Sequence, residues 1–90
     1  MEKYLIVIEK AERNYSAFSP DVIGCVATGA TVEETAENMK EALQFHFEDN
    51  NELPSAKGIS EHIANGVFDK KNIADEYFIT EIQMRTPQHA

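Results

Sequence analysis

The sequence has one cysteine, Cys25, in 90 residues, so neither an internal disulfide nor a multi-cysteine metal site is open to it. It has no apolar run long enough to cross a bilayer and no stretch that reads as a secretory signal. Those two absences lead us to expect a soluble, cytoplasmic chain with no membrane partner. Basic residues are also scarce: 8 Lys+Arg stand against 16 Asp+Glu, for a formal net charge of −8. The few that exist do not cluster with aromatics, which disfavours direct nucleic-acid binding by this chain alone. Glycine-rich phosphate cradles, internal repeats and low-complexity tracts are absent. A chain this short has apolar surface for one core only. Residues 1–85 are therefore expected to form a single domain, with a loose polar tail over 86–90.

What the sequence does have is one strong amphipathic helix, expected over residues 31–52. Thr31 and Glu34 make a capping box, in which the Thr31 hydroxyl takes the Glu34 amide and the Glu34 carboxylate reaches back to the Thr31 amide. Val32, Ala36, Met39, Leu43 and Phe47 recur at helical spacing and define one apolar stripe. Glu33, Glu34 and Glu37 crowd the first turn, where the positive end of the helix dipole favours them. The stretch 31–52 carries seven carboxylates, including Glu41, Glu48, Asp49 and Glu52, against Lys40 alone, a local charge of −6. The acidity is thus concentrated on one helix. A field of that sign repels phosphate and attracts basic partners, although a solvated face alone would look the same.

Before the helix, residues 3–11 read as a strand with Tyr4, Ile6 and Ile8 on one face and Leu5 and Val7 on the other. Apolar side chains on both faces mark a central strand, or one covered by another subunit. A turn at Glu12–Asn14 leads to a second strand over 15–19, which Pro20-Asp21 breaks. Gly24 then allows a tight return into a short third strand, Cys25–Thr28. After the helix, Pro54–Gly58 is a loop. Residues 59–65 can form a short second helix stopped by Gly66, and 68–75 is ambiguous. Tyr77–Arg85 alternates as a half-buried strand, Phe78, Thr80, Ile82 and Met84 against Tyr77, Ile79, Glu81, Gln83 and Arg85. The expected fold class is α+β: an antiparallel meander in β-β-β-α-β order, with one long helix packed on one face.

Three ordered segments carry a further pattern: Tyr15–Phe18, then Ser19-Pro20-Asp21-Val22-Ile23-Gly24-Cys25, then Thr28-Gly29-Ala30-Thr31-Val32-Glu33-Glu34-Thr35-Ala36. Together they resemble the HicB-like antitoxin family, with Thr35 a mild departure from its helix-start signature. The likeness covers roughly residues 3–50. It implies a partial ribonuclease-H-like sheet without that fold's catalytic carboxylates. It also implies a task, that of binding and neutralising a small basic ribonuclease toxin of the HicA type, as a dimer or higher oligomer. Many relatives carry a C-terminal DNA-binding module; none is expected after the last strand of this sequence, which puts operator binding in doubt. Residues 59–75 read as an elaborated connection.

The physical roles of the hallmark residues are expected to be structural. Tyr15, Pro20, Asp21, Gly24, Cys25, Gly29, Thr31 and Glu34 shape the strands, turn and cap. Asp21 is read as an acceptor of backbone amides, since no second polar group is evidently aimed at it. Cys25 reads as a small buried hydrophobe. His46, His62 and His89 share no ligand spacing, and His46, Glu48 and Asp49 do not share a helix face, so no metal or cofactor is expected. Partner contact is expected at Glu33, Glu37, Lys40, Glu41 and Glu48, with apolar help from Tyr77 and Ile79 or from Leu5 and Val7. The alternatives are an oligomeric scaffold with no toxin and, with less support, a degenerate hydrolase; the expected activity is binding, not catalysis.

Overall fold

The first strand forms because residues 4–8 alternate without a polar interruption, and both of its faces find cover. In the computed structural model, which describes residues 2–49 and 53–84, β1 (Glu2–Lys10) turns through residues 11–14 into β2 (Tyr15–Ser19), and β2 turns into β3 (Val22–Gly29). Then come α1 (Val32–Asp49), the short α2 (Ile59–Ala64) and β4 (Tyr77–Met84). The four strands make one antiparallel sheet in the order β3-β2-β1-β4. The expected meander is present, and β4 returns to the free edge of β1.

Tyr4, Ile6 and Ile8 on the inner face of β1 pack with Met39, Leu43 and Phe47 of α1 and with Ile82 and Met84 of β4. Burying each such large side chain contributes about 1.5–3 kcal/mol. Helix α1 lies over β3 and β2 and only touches β1. The inner face of β4 is therefore covered only toward its end, where Ile82 and Met84 are buried while Phe78 stays 45% exposed.

The outer face of β1 is covered by the chain itself. Leu5 and Val7 are 3% and 0% exposed, which removes both the covering subunit and these two residues as partner contacts. The cover is the connection between α1 and β4, tied down along its length. The start of that connection is held from the inner face, where the Tyr4 hydroxyl donates to the Pro54 carbonyl at 2.6 Å and the Ala56 amide donates to Glu2 Oε1 at 2.7 Å. Ile59 then borders Leu5 on the outer face. Further on, the Ala74 amide donates to Glu9 Oε2 at 2.7 Å, and the Lys10 amide donates to the Glu76 carbonyl at 3.0 Å. The ambiguous 68–75 stretch is a run of turns in which Asn72 Nδ2 donates to the Gly66 carbonyl and Ile73 is buried. Gly66, at φ 84°, closes α2 as the spacing indicated.

Two local expectations change. The β2–β3 turn is made by Pro20 and Asp21, and Gly24 lies inside β3 instead of at its entrance. The register slips between Phe18 and Ser19, so that Ile23, Gly24 and Cys25 bulge, and Gly24 takes φ 88° to permit it. At the helix start the Glu34 amide donates to Thr31 Oγ1 at 3.0 Å, but Glu34 Oε1 accepts from the Ala30 amide, one residue before the expected donor. The loss of helix around Asn50–Asn51 and the tail 86–90, with Arg85 and His89, lie outside the described residues.

Candidate partner-binding surface

The buried stripe fixes which side of α1 faces water. With Thr35, Met39, Leu43 and Phe47 turned into the core, the helical period places Glu33, Glu34, Glu37, Lys40, Glu41, Gln44, Phe45 and Glu48 on the exposed side. Glu33, Glu37, Glu41 and Phe45 follow one another at four-residue intervals along a single ridge. Phe45 is 70% exposed, one turn beyond Glu41 and three residues before Glu48. A large aromatic ring held out among carboxylates is the notable feature of this face. It falls outside the apolar stripe that identified the helix, and its own spacing from Glu37 and Glu41 is the signal that could have found it.

Tyr77 and Ile79 are elsewhere. The register pairs Ile79 with Val7 and Tyr77 with Glu9, which puts both on the outer face of the sheet, on the edge strand farthest from β3. Helix α1 lies on the inner face toward β3. The structure thus separates the two groups of expected contact residues onto opposite faces of the sheet. Tyr77 stacks on Phe68 with ring centroids 5.5 Å apart, and Ile79 borders a groove with Leu5, Ile59, Thr80 and Glu81.

The hallmark turn has a partner that sequence reasoning missed. Asp21 Oδ1 accepts from His62 Nε2 at 2.7 Å and from the Lys57 amide at 2.9 Å, while Oδ2 accepts from the Leu5 amide at 3.0 Å. Leu5 lies two residues before Val7, the first at which β1 pairs with β2, and Asp21 supplies the acceptor that the ladder does not. Burial alone would raise the Asp21 pKa; the amides of Lys57 and Leu5 and the His62 ring outweigh it and hold the carboxyl below its ordinary 3.8. The Asp21 and His62 side chains are 0% and 2% exposed, so the pair faces no open substrate site. It fastens α2 to the β2–β3 turn.

The remaining hallmarks are placed by packing. Tyr15 is half-buried, its ring 6.3 Å from Phe78. Cys25 is 5% exposed, and burial pushes its thiol pKa up. A Cβ on Gly29 would lie 2.6 Å from Thr35 Oγ1 and 2.7 Å from the Thr35 backbone nitrogen, so the glycine lets β3 run directly into the helix start. Thr35 is itself fully buried and donates to the Thr31 carbonyl at 2.6 Å. His46 sits at the border of the stripe, with its ring edge-on to Phe47. Among the described residues, no three His, Cys, Asp or Glu side chains gather to hold a metal ion, and no helix is long and apolar enough to cross a membrane.

Comparison with known proteins adds the following. Residues 4–86 match the family described as HicB_like antitoxin of bacterial toxin-antitoxin system. An uncharacterized 14.9 kDa protein from the rep-hol intergenic region of Haemophilus phage HP1 is 42% identical over 64 residues, 67% of this chain and 48% of that one. A UPF0150 protein of Helicobacter pylori is 46% identical over 43 residues, 48% of this chain and 60% of that one. The chain thus spans about half to three fifths of these curated relatives. Among solved structures, the Burkholderia pseudomallei antitoxin HicB superposes with a TM-score of 0.75 at 19% identity, covering 100% of this chain and 71% of that one. A chain from the HicA3 and HicB3 toxin-antitoxin complex superposes with a TM-score of 0.69 at 23% identity, covering 90% and 95%. At such identities the structural likeness shows the fold.

Proposed function

This chain belongs to the HicB-like antitoxin family of bacterial toxin–antitoxin systems, and we propose that it neutralises a small basic ribonuclease toxin of the HicA type by binding it in the cytoplasm. It acts as a binding protein without catalysis of its own. The observation that carries this reading is the outer face of α1, which exposes five glutamates and, between Glu41 and Glu48, one phenylalanine. A protein that grips RNA is cationic, and an acidic face both steers it in and rejects anionic competitors. Charge alone mainly sets the association rate, so an apolar anchor must hold the complex once formed. Phe45 occupies the position such an anchor needs, framed by Glu41 and Glu48. Glu33 and Glu37 extend the field along the same face, and Lys40 is its one basic interruption.

The solved complex of HicA3 with HicB3 supports the choice of partner, since a chain of that assembly shares this fold. The test is co-expression with a small basic ribonuclease of the HicA type. Growth restored by this chain, together with a co-purifying complex that dissociates at high salt, is the expected result. A toxin of that type that this chain neither binds nor silences would overturn the proposal.

A further inference from the structure

Among the described residues, the three most exposed large apolar side chains stand along one edge of the sheet. Ile23, Phe45 and Val26 are 91%, 70% and 67% exposed, whereas those on α2 and β4 reach no more than 56%. Strand β3, which carries Ile23 and Val26, is the edge opposite β4. Val26 pairs with Phe18, and Phe18 with Val7, so Val26 lies on the outer face beside a half-buried Phe18. Ile23 stands in the bulge, next to Gly24. Phe45 approaches the same edge from the helix. Phe47 turns toward β1, its ring centroid 5.6 Å from that of Tyr4. Phe45, two residues and about 200° away around the helix, projects on the other flank. Asn38 precedes Phe45 by seven residues and shares that flank, and its Nδ2 donates to the Thr28 carbonyl of β3 at 2.8 Å. From Asn38 to Phe45 the helix advances about 10.5 Å, the length of about three strand residues. Helix α1 runs back along β3, so Phe45 stands level with Cys25, beside the bulge.

We infer that this edge seats the basic toxin, with Ile23, Val26 and Phe45 as the apolar centre of the contact and Glu41 and Glu48 as its acidic rim. The inference rests on the toxin-binding reading and carries the contact from the helix onto β3. Charge selects the occupant. Glu41 and Glu48 are exposed, four residues before Phe45 and three after it, and so border its ring on the helix surface. A two-fold contact with a second copy would set these carboxylates near their own images, whereas a cationic surface meets them with opposite charge. The edge also suits side chains better than an added strand. The bulge interrupts the ladder that such a strand would follow, and Asn38 already occupies the Thr28 carbonyl. One partner surface straddling the edge therefore covers a ring on the helix side and two aliphatic side chains on the strand. Complementary charge at the rim guides the encounter, and the desolvated apolar centre slows release.

The test takes the complex of this chain with a co-expressed HicA-type ribonuclease. Ile23→Ser and Val26→Ser should each raise the dissociation constant by about tenfold or more, mostly through faster dissociation. Both side chains are exposed, so the melting temperature of the free chain should stay close to the wild-type value. Ile23→Leu should bind as the wild type does, and Ile63→Ser, at an exposed site on α2, should leave binding unchanged. A photo-crosslinking amino acid in place of Ile23 should join this chain to the ribonuclease, and one in place of Ile63 should not. A complex indifferent to both serine variants, or crosslinked from the Ile63 site and not from the Ile23 site, would overturn the inference and leave neutralisation standing. Crosslinks from the Ile23 site to a second copy of this chain in place of the ribonuclease would overturn it too. A wild-type chain that forms no complex would instead overturn the toxin reading on which the inference rests.

Discussion

His62 Nε2 donates to Asp21 Oδ1 at 2.7 Å across 41 residues of sequence, with both side chains shut off from solvent. The same carboxylate takes the amides of Leu5 and Lys57. One side chain in a turn therefore fixes the middle of β1, the entrance to α2 and α2 itself. A buried carboxylate is costly unless its acceptor sites are filled, and here three donors fill them.

Because those donors hold the Asp21 pKa below 3.8, the unfolded chain binds the proton at a higher pH than the folded one. Stability from this group is then complete above the unfolded value and is lost as pH falls through it toward the lower folded value. The wild-type urea midpoint should drop between about pH 5 and pH 2, and that of Asp21→Asn should drop less. At neutral pH, Asp21→Asn should be the less stable by about 1.5–3 kcal/mol, since one of its amide hydrogens must face a donor. Parallel pH profiles for the two proteins would remove Asp21 as the source of the acid sensitivity.

His62→Ala removes the ring and leaves the carboxylate short of one donor, at a cost of about 1–3 kcal/mol. The loss should be local before it is global. Hydrogen exchange at the Lys57 amide should quicken while amides of β1 facing β2 remain protected. Uniform quickening across the sheet would mean that the pair supports the whole fold and not the α2 connection.

This pair also marks where sequence reading stops. The capping box at Thr31, the stripe from Val32 to Phe47 and the alternation of Tyr77–Met84 are periodic, and each announces itself within a few residues. They were enough to place the helix on the sheet and to set the meander. Nothing local says that His62 returns to Asp21, because a contact across 41 residues has no period. The same limit explains Leu5 and Val7: an apolar outer face signals that a cover exists, but not whether the cover is another subunit or the chain's own connection. On the candidate surface, the glutamates were legible from charge alone. That Tyr77 and Ile79 lie on the opposite face became clear only once β4 was placed beside β1.

Gly29→Ala tests the close approach of β3 to α1. The new methyl would sit 2.6 Å from Thr35 Oγ1 and 2.7 Å from the Thr35 nitrogen, and a backbone atom cannot swing aside as a side chain can. A loss of about 1–3 kcal/mol is expected in thermal or urea unfolding. Thr35→Ala in the same chain should recover only part of it, since the contact with the backbone nitrogen persists. Full recovery would put the conflict at the hydroxyl alone.

Reversing charge at Glu37 and Glu41 should slow association with a basic toxin and flatten its dependence on ionic strength, leaving dissociation nearly unchanged. Both side chains are exposed, so the folded state should melt within about 0.5 kcal/mol of wild type. Stopped-flow association over a salt series reads this directly. Unaltered kinetics would take the outer face of α1 out of the encounter.

Phe45→Ala separates anchoring from steering on that same face. The ring is 70% exposed, so its removal opens no cavity and should cost the fold little. Met39→Ala or Leu43→Ala, at fully buried positions, should each cost about 2–5 kcal/mol. If Phe45 enters a pocket rimmed by cations on the toxin, its loss should weaken the complex by about 2 kcal/mol or more. Nearly all of that change should appear in the dissociation rate, because the carboxylates that guide the encounter remain. The double variant Phe45→Ala with Glu41→Lys should lose less than the sum of its parts if ring and carboxylate cooperate in one pocket, and the plain sum if they touch separate features. A Phe45→Ala complex that dissociates at the wild-type rate would leave the acidic face as a steering surface with its anchor elsewhere.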